Sequence, residues 1–510
     1  RVYYNKMSQI PDLLRIGEIP SNMMMEVETQ IVEPVINTES FVRFSLRRSG
    51  FLHSNSKLLL SLDASSFAGD TNIRIPTAAV GGVKPATRPG KTFFPATIGV
   101  SNLISRVRLM SGNTVIQEID DFRFLENYRS MFVTNEDNKE KGQFLESKMM
   151  GLDLTYQDAD ASITDKRSSV KSLGVGLDNS TCYDGSYAGA TGADALFDSY
   201  VHRCQEIGNN PVYQVNISQL CPFLKQTQLP LFMFDEEVFI EITLAPGIER
   251  AQGDAHQMGG DPVQKKVSYT MASTETRMVV DYISYPEETM TAWANANRDL
   301  SFSYFDYELS KFTVNQADGN TGFIRSVGGA GKLVTKMICG LNQDTNNEQS
   351  STSICGRTSV VHPKWDATTA NSRVQTNLRY NDTYLYPITV TNDSYHFSNV
   401  VSAEGVPPFV NRGQYSGQGS ANNPTITIKK FMGYTQNVSA DAAAGDFAGL
   451  TNNFFWQSFK LNRNERINQK GIELYQKYLG LGNFNHTIRV WLEVLKVATL
   501  RDGKLRSDYA

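Results

Sequence analysis

The feature that most constrains the fold is a two-residue alternation of apolar side chains near the middle of the chain. Every second position there is apolar, at Val238, Ile240, Ile242 and Leu244. Only the period of a β-strand places four such side chains on one face. We therefore predict a half-buried strand that belongs to a β-sandwich.

The residues that follow predict the passage from one sandwich to a second. Arg277 to Tyr285 is rich in β-branched and aromatic residues on both faces, which is typical of a strand covered on both sides. Pro286-Glu287-Glu288 then predicts a short connecting helix to about Ala296, because proline suits the first helical turn and carboxylates favour the helix N-terminus. Phe302 to Val314 is strand-like again, so a new sheet begins there.

The first half carries a predicted hairpin followed by a helix. Two strand patterns flank a turn at Ser111-Gly112-Asn113, and Asp120 or Asp121 is the predicted N-cap of a helix that continues to Phe132. Further strands are predicted at Glu26 to Glu33, Ser40 to Arg48 and Lys57 to Leu62. Segments without periodicity are predicted as long loops, at Ala64 to Asn102, Val133 to Asn210 (with one helix at Ala193 to Gln205) and Pro246 to Lys266.

The second half repeats this style over about eight strands, the number expected of one sandwich. Its predicted strands are Gly322 to Ser326, Lys332 to Leu341, Ser353 to Val361, Val374 to Tyr380, Thr383 to Thr391, Thr425 to Phe431 and Phe454 to Leu461. A closing strand with apolar residues at Ile488, Val490, Leu492 and Val494 mirrors the strand centred on Ile240, which hints that each half closes with the same kind of strand.

The length of 510 residues exceeds what one compact core holds and predicts two domains. We place an N-terminal arm with a helical pattern around Ile10 to Ile16 at residues 1–24, the first sandwich at 25–297 and the second at 298–510.

Charge and hydropathy exclude several classes of function. Lys and Arg number 49 against 53 Asp and Glu, a net charge of −4, so bulk electrostatics do not favour wrapping nucleic acid. No apolar run approaches the roughly 18 residues of a membrane helix. The first 25 residues carry Asp12, Arg15 and Glu18 where a signal peptide would be apolar, so we expect a soluble chain that is not secreted through such a signal.

Short motifs that could carry chemistry have simpler interpretations. Gly328 to Lys332 resembles a phosphate-binding loop but lacks the first glycine and the final Ser or Thr, so a hairpin turn is predicted. Asp235-Glu236-Glu237 opens a strand, where alternation sends neighbours to opposite faces, and is predicted as a solvated strand end. No two of the six histidines lie within four residues of each other, at His53, His202, His256, His362, His396 and His486. We nominate no catalytic, cofactor-binding or metal site.

Cysteine, asparagine and tryptophan positions also point away from a site. The cysteines are widely spaced without a CxxC pair, which indicates free thiols; one disulfide between Cys339 and Cys355 is the alternative. The full set is Cys182, Cys204, Cys221, Cys339 and Cys355. The N-x-S/T pattern of glycosylation sites is expected by chance in a chain rich in Asn, Ser and Thr, so we do not expect glycosylation. The pattern occurs at Asn179, Asn216, Asn381, Asn392, Asn437 and Asn485. The tryptophans are spread apart, so core packing is predicted for Trp491 rather than a sugar platform; the others are Trp293, Trp365 and Trp456.

The order of several motifs resembles a known family. A strand–turn–strand from Ile104 to Ile116 precedes a helix, Leu229-Pro-Leu-Phe leads into Glu237-Val-Phe-Ile-Glu-Ile, and Asp281-Tyr-Ile precedes Pro286-Glu-Glu. Tyr380-Asn-Asp-Thr-Tyr-Leu-Tyr-Pro387 extends the match into the second half. This order is similar to that of double jelly-roll major capsid proteins of double-stranded DNA viruses, in the style of virophages and polinton-like viruses.

The resemblance implies an all-β fold of two tandem eight-stranded antiparallel jelly rolls with long loops and a few short helices. It implies a structural protein rather than an enzyme, with three chains forming a pseudo-hexagonal capsomer and many capsomers tiling an icosahedral shell in the virion, assembled inside the host cell. Expected partners are neighbouring capsomers and penton and minor capsid proteins; the arm at residues 1–24 would contact neighbouring subunits, a minor capsid protein or, as an open alternative, an internal membrane. No sequence-specific nucleic-acid binding and no cofactor are expected.

Two other classes stay open on sequence alone. A carbohydrate-binding or carbohydrate-active sandwich would bring aromatic and carboxylate residues together in one cleft. A fibre or adhesin subunit would form elongated oligomers instead of compact trimers.

Overall fold

The computed structural model describes the strands and short helices of both halves. Several predictions lie outside the described residues: the arm at residues 1–24, the helix at 193–204, the strands at 353–361 and 425–431, and most of the three long loops of the first half. The described residues are 25–66, 91–92, 98–132, 145–146, 205–206, 212–226, 228–245, 267–271, 276–343, 374–390, 393–406, 456–461, 465–478 and 486–510.

The first half forms two antiparallel sheets. One has the strand order β1-β13-β5-β10, with β4 and β12 attached at its margins, and the other has the order β2-β3-β11-β7-β8. A separate two-stranded ribbon joins β6 and β9. The strands are β1 (Glu26–Val32), β2 (Ile36–Asn37), β3 (Phe41–Leu46), β4 (Phe51–Leu52), β5 (Lys57–Ser66), β6 (Lys91–Thr92), β7 (Ile104–Ser111), β8 (Thr114–Asp120), β9 (Gln205–Glu206), β10 (Val212–Asn216), β11 (Val238–Leu244), β12 (Val267–Met271) and β13 (Arg277–Ser284).

The second half also forms two antiparallel sheets. Their orders are β14-β21-β16-β19, with β22 paired to β21, and β15-β20-β17-β18. The strands are β14 (Asp299–Val314), β15 (Phe323–Gly328), β16 (Val334–Gln343), β17 (Val374–Tyr380), β18 (Thr383–Tyr384), β19 (Gln457–Lys460), β20 (Ile472–Tyr478), β21 (His486–Arg501) and β22 (Lys504–Tyr509).

Both halves have the same topology. Eight strands of each half form the continuous rows of its two sheets, once the edge strand β2 is left out. We number these eight strands from one to eight in chain order. The two sheets then have the order 1-8-3-6 and 2-7-4-5 in both halves, which is the jelly-roll arrangement. The first half supplies β1, β3, β5, β7, β8, β10, β11 and β13, and the second supplies β14 to β21.

This numbering corrects one sequence comparison. The strand centred on Ile240 is β11, the seventh of its half, whereas the strand with Ile488 is β21, the eighth. The true counterpart of β21 is β13, although β11 shares its alternation. Alternation of apolar residues over eight positions shows that one face of a strand is buried. It does not show which place the strand takes in the sheet.

Helices occupy connections between strands and follow local signals. The connecting helix begins after Pro286 and ends at Ala296, as predicted. The helix after the hairpin likewise forms at Phe122–Ser130. The helices are α1 (Phe122–Ser130), α2 (Ile217–Leu220), α3 (Pro222–Gln226), α4 (Glu287–Ala296), α5 (Gln316–Thr321) and α6 (Asp393–Glu404), with 3-10 turns at Gly99–Leu103 and Leu231–Met233.

The alternating strands supply the cores as predicted. Val238, Ile240, Ile242 and Leu244 of β11 are all buried. In β13, Met278, Val280 and Tyr282 are buried, but the opposite face is mostly half-buried, so the prediction of full cover on both sides was too strong.

Three local predictions need correction. The strand predicted at Thr383 to Thr391 is only Thr383–Tyr384, which follows a tight turn at Asn381 and Asp382, and Pro387 just beyond it has no N–H with which to continue the ladder. The turn at Gly328 to Lys332 does not close a hairpin, since β15 and β16 belong to different sheets. Strands at Val212–Asn216, Ile472–Tyr478 and Lys504–Tyr509 were missed. In Ile472–Tyr478 the buried face includes Gln476, which weakens the apolar pattern.

Candidate functional site

The candidate site is the junction where the first sandwich packs against the second. Strand β8 and helix α3 contact β14, and strands β7 and β8 contact β22. Helix α1 contacts β21, and also Glu404 of α6, which pairs with Lys336 of β16. Three clusters of polar contacts cross the junction, and aromatic side chains fill the space between them.

The first cluster forms around Asp121, at the start of α1. Sequence predicted this residue as a helix cap, but its side chain makes no capping hydrogen bond and its backbone is left-handed, with φ of 48°. Arg489 Nε donates to the Asp121 carboxylate at 2.9 Å, and Lys311 Nζ lies 3.3 Å from the same oxygen. Burial alone would raise the pKa of Asp121, but these two cations outweigh burial and hold that pKa below its ordinary value.

The second cluster centres on Gln117 of β8. Its amide Nε2 donates to the Phe305 carbonyl at 3.2 Å and to the Asp306 carboxylate at 3.3 Å. Lys496 Nζ lies 2.6 Å from Asp306, whose pKa is nevertheless raised because burial outweighs the lysine. Tyr304 Oη donates to the Ile116 carbonyl at 2.5 Å, so backbone and side chains of both sandwiches share this cluster.

The third cluster links α1 to the second sandwich through Lys336. Its Nζ lies 2.7 Å from Glu404 and 3.0 Å from Glu493, and Tyr128 Oη of α1 donates to Glu404 at 2.5 Å. Burial would raise the pKa of Glu493, but Lys336 and the Thr335 hydroxyl, 2.6 Å away, lower it overall. Burial would lower the pKa of Lys336, but Glu493 and its other neighbours raise it. Lys336 therefore shares its charge between two largely buried carboxylates.

Aromatic side chains fill the space around the polar clusters. Trp491 is fully buried, as predicted, and its ring lies 5.9 Å from that of Trp456, which packs in turn on Tyr128 at 5.7 Å. The Arg489 guanidinium lies 3.7 Å from the centre of the Phe124 ring, a cation–π contact. These contacts bury Trp491 in the middle of the outward face of the β14–β21 strand pair, whereas Lys311 on the same face stays half exposed.

The β21–β22 turn adds a contact between backbones. The Asp235 amide donates to the Gly503 carbonyl at 2.9 Å. Gly503 has φ of 71°, and a Cβ there would lie 2.3 Å from Asp235 Cγ, so only glycine fits without movement. Asp235 and Glu237 are otherwise exposed, in agreement with the predicted solvated strand end.

The other candidate residues that the structure describes do not assemble into a chemical site. Among the residues that the structure describes, no group of three or more His, Cys, Asp and Glu could hold a metal ion. Cys221 and Cys339 are buried free thiols, and burial raises the pKa of each to about 12. Cys355, the proposed partner of Cys339, lies outside the described residues, as do Cys182, Cys204, His202, His256, His362, Trp365, Asn179, Asn392, Asn437 and Asn485.

Membrane-spanning helices are likewise not found in the described part of the chain, where no helix is both long and apolar enough to cross a bilayer.

Sequence reasoning missed most residues of the junction. None of the missed residues belongs to a sequence motif, because each one contacts a partner more than 60 positions away along the chain. They are Gln117, Lys311, Lys336 and Arg489. One signal was present in β21, where Glu493 stands between apolar neighbours in Arg-Val-Trp-Leu-Glu-Val-Leu. A carboxylate inside an apolar strand implies a buried partner.

Comparison with known proteins relates this fold to solved structures. No protein-family model and no curated protein matches the chain. The capsid structure of the Sputnik virophage aligns over 97% of this chain and 90% of its own, with a TM-score of 0.54 and 12% identity. The chain has the fold of double jelly-roll major capsid proteins. The mavirus major capsid protein (TM-score 0.50, 10% identity, 97% of this chain and 91% of that chain) and the Faustovirus major capsid protein (0.50, 9%, 95% and 93%) share the double jelly roll.

Proposed function

We propose that this chain is the major capsid protein of a double-stranded DNA virus. It acts as a structural subunit without catalytic activity, and its place is the virion shell. The observation that carries this proposal is a pair of sandwiches of identical topology, fixed against each other by a buried junction, in a fold shared with viral capsid proteins over nearly the whole chain.

The assembly follows from the two-sandwich unit. Three chains would place six similar sandwiches around one axis, giving a pseudo-hexagonal capsomer, and such capsomers tile an icosahedral shell. The proposed domain division is 25–297 and 298–510, and the pairing of described strands only within their own half supports it. Neighbouring capsomers, penton and minor capsid proteins are the partners, and residues 1–24 are the segment that contacts them or an internal membrane.

The junction supports a role in assembly rather than in chemistry. A shell subunit must hold its two sandwiches at one angle, and the three polar clusters make that angle specific because a displaced sandwich would leave buried charges unpaired. In the described part of the chain, the junction consists of ion pairs and aromatic rings that pack against each other.

The test is the mass and shape of the purified chain. Sedimentation velocity is expected to show a species of three times the 56.8 kDa chain, and negative-stain microscopy is expected to show compact hexagonal particles or shells. A chain that stays monomeric over a wide range of protein and salt concentrations would contradict the proposal. Elongated oligomers would instead favour a fibre subunit.

A further inference from the structure

The strand β1 carries two of its three apolar residues, Val27 and Ile31, on the side that faces away from its own core, whereas Val32 packs against that core. Its partners in β13 include the buried residues Val280 and Tyr282, which lie opposite Gln30 and Glu28. Directly paired residues share a face, so Val27 and Ile31 project to the opposite side. They are 49% and 61% exposed, which is unusual for two aliphatic residues on one strand face.

The corresponding face of the second sandwich is covered. There β14 and β21 occupy the first and eighth positions, as β1 and β13 do in the first sandwich. Trp491 alternates with Val490 and Leu492 along β21 and therefore lies on the opposite face, where its indole N–H donates to the Asp120 carbonyl of the first sandwich at 3.4 Å. The cover is α1 of the first sandwich, which follows the fifth strand and brings Phe124 and Tyr128 onto this face.

The second sandwich has its own copy of the covering unit. Its fifth strand is β18, and α6 follows it before the sixth strand, as α1 follows β8. This unit exposes apolar and aromatic side chains: Tyr384, Ile388 at 72% and Tyr395 at 41%. The Tyr386 ring lies 5.5 Å from that of Tyr395, so the segment after β18 packs along α6.

The described residues therefore form one complete junction and expose the two halves of a second. The complete junction joins β8–α1 to β14–β21. The exposed halves are β18–α6 of the second sandwich and the outward face of β1–β13 of the first. Because the halves of this second junction lie on different sandwiches of one chain, two copies bring them together in a head-to-tail contact.

We infer that β18–α6 of one copy packs on the outward face of β1–β13 of the next copy. The contact repeats between copies the packing that joins the two sandwiches within a chain, so first and second sandwiches alternate around the particle. The inference rests on the proposed self-association and names the surfaces that produce it. Burial of Val27, Ile31, Ile388 and Tyr395 supplies the apolar centre of the contact.

The test compares aspartate variants of the full chain by sedimentation velocity. Ile31→Asp and Ile388→Asp are each expected to raise the dissociation constant of the oligomer by about tenfold or more, because a carboxylate in an apolar contact is desolvated. Ile324→Asp, at a residue 59% exposed on β15 of the other sheet, is the matched control and is expected to leave the oligomer unchanged. Melting temperatures of the dissociated chains should match, since all three residues are exposed.

Cross-linking provides a second readout that does not weaken the contact. Co-assembly of Ile31→Cys chains with Tyr395→Cys chains, treated with a short bismaleimide, is expected to give cross-linked dimers. Ile31→Cys chains alone should give no more cross-linked product than the unmodified sequence. Self-cross-linking by Ile31→Cys would overturn the inference in favour of a two-fold contact.

The outcomes separate the inference from the function on which it rests. If both aspartate variants assemble as the wild type does, the inference is wrong while the capsid proposal stands. If Ile31→Asp lowers the melting temperature without changing the mass, the chain itself covers this face, and the inference is again wrong. A wild-type chain that never associates would overturn both.

Discussion

At the scale of single residues, Lys336 neutralises two carboxylates inside the junction. Lys336→Met would leave Glu404 and Glu493 facing each other without their shared cation. Removing one partner of a buried ion pair costs about 3 kcal/mol, so the variant is expected to unfold at clearly lower urea concentration.

The control for this variant is Lys470→Met. The Lys470 ammonium lies 2.6 Å from Asp382, but both side chains are more than half exposed. Solvent screens such a pair, so no measurable change in the urea midpoint is expected. Equal midpoints for the two variants would show that Lys336 does not stabilise the junction.

The residue scale also shows what sequence can and cannot predict about the site. Trp491 was predicted as buried because apolar alternation surrounds it. Asp121 was correctly placed at the helix N-cap, but the ion pair of its side chain was missed, since helix-cap statistics are local and its partner Arg489 lies 368 positions along the chain. The strand β20 was missed because Gln476 interrupts its apolar pattern. The Gln476 amide is buried and donates to Gln457 at 2.8 Å, but in a sequence a glutamine is read as a solvent-facing residue.

At the scale of elements, a row of alternating charges crosses four strands of the first sandwich. Arg43 of β3, Glu241 of β11, Arg108 of β7 and Glu118 of β8 lie directly opposite one another in register. Arg43 Nε donates to Glu241 at 2.7 Å, and Arg108 Nε donates to Glu118 at 2.7 Å. The guanidinium groups bury Glu241 on the outward face of the sheet, which explains a charged residue within the apolar strand β11.

Glu241→Ala is expected to destabilise this sheet by about 2 kcal/mol, because Arg43 loses its hydrogen-bond acceptor and Arg108 loses a carboxylate 3.9 Å away. Thermal unfolding followed by circular dichroism measures the loss. Glu237→Ala, at an exposed residue of the adjacent chain segment, serves as the control and should shift stability by less than about 0.5 kcal/mol. A smaller effect at Glu241 than at Glu237 would contradict the role of the charged row.

The sequence largely predicted which segments are strands and which are helices, from the spacing of apolar residues and from turn residues. It did not predict which strands pair with each other. The alternation in β11 and the Pro-Glu-Glu start of α4 determine local structure by themselves. The 1-8-3-6 order depends on contacts such as Glu26 with Ser284, which no local pattern encodes.

At the scale of the whole molecule, the junction makes stability depend on pH. The pKa of Asp121 is lower in the folded chain than its ordinary value of 3.8. Its contribution is therefore fully present above that ordinary value and is lost as the pH falls through the lowered folded value. Asp121→Asn is expected to lower the melting temperature at neutral pH, with a deficit that shrinks as the solution becomes more acidic than pH 3.8.

Melting temperatures of wild type and variant across this pH range measure the effect. Asp508→Asn, at an exposed residue of β22, is the control and should follow the wild type at every pH. A deficit for Asp121→Asn that stays constant down to strongly acidic pH would mean that the ion pair with Arg489 does not stabilise the fold.

Pairing of the first strand with the eighth has a consequence for synthesis on the ribosome. Neither sandwich can close until its last strand has emerged, since β1 pairs with β13 near residue 280 and β14 pairs with β21 near residue 490. The amino-terminal sandwich can therefore fold while translation of the other continues. During that interval α1 remains uncovered, and nascent chains on neighbouring ribosomes are then exposed to premature association through it.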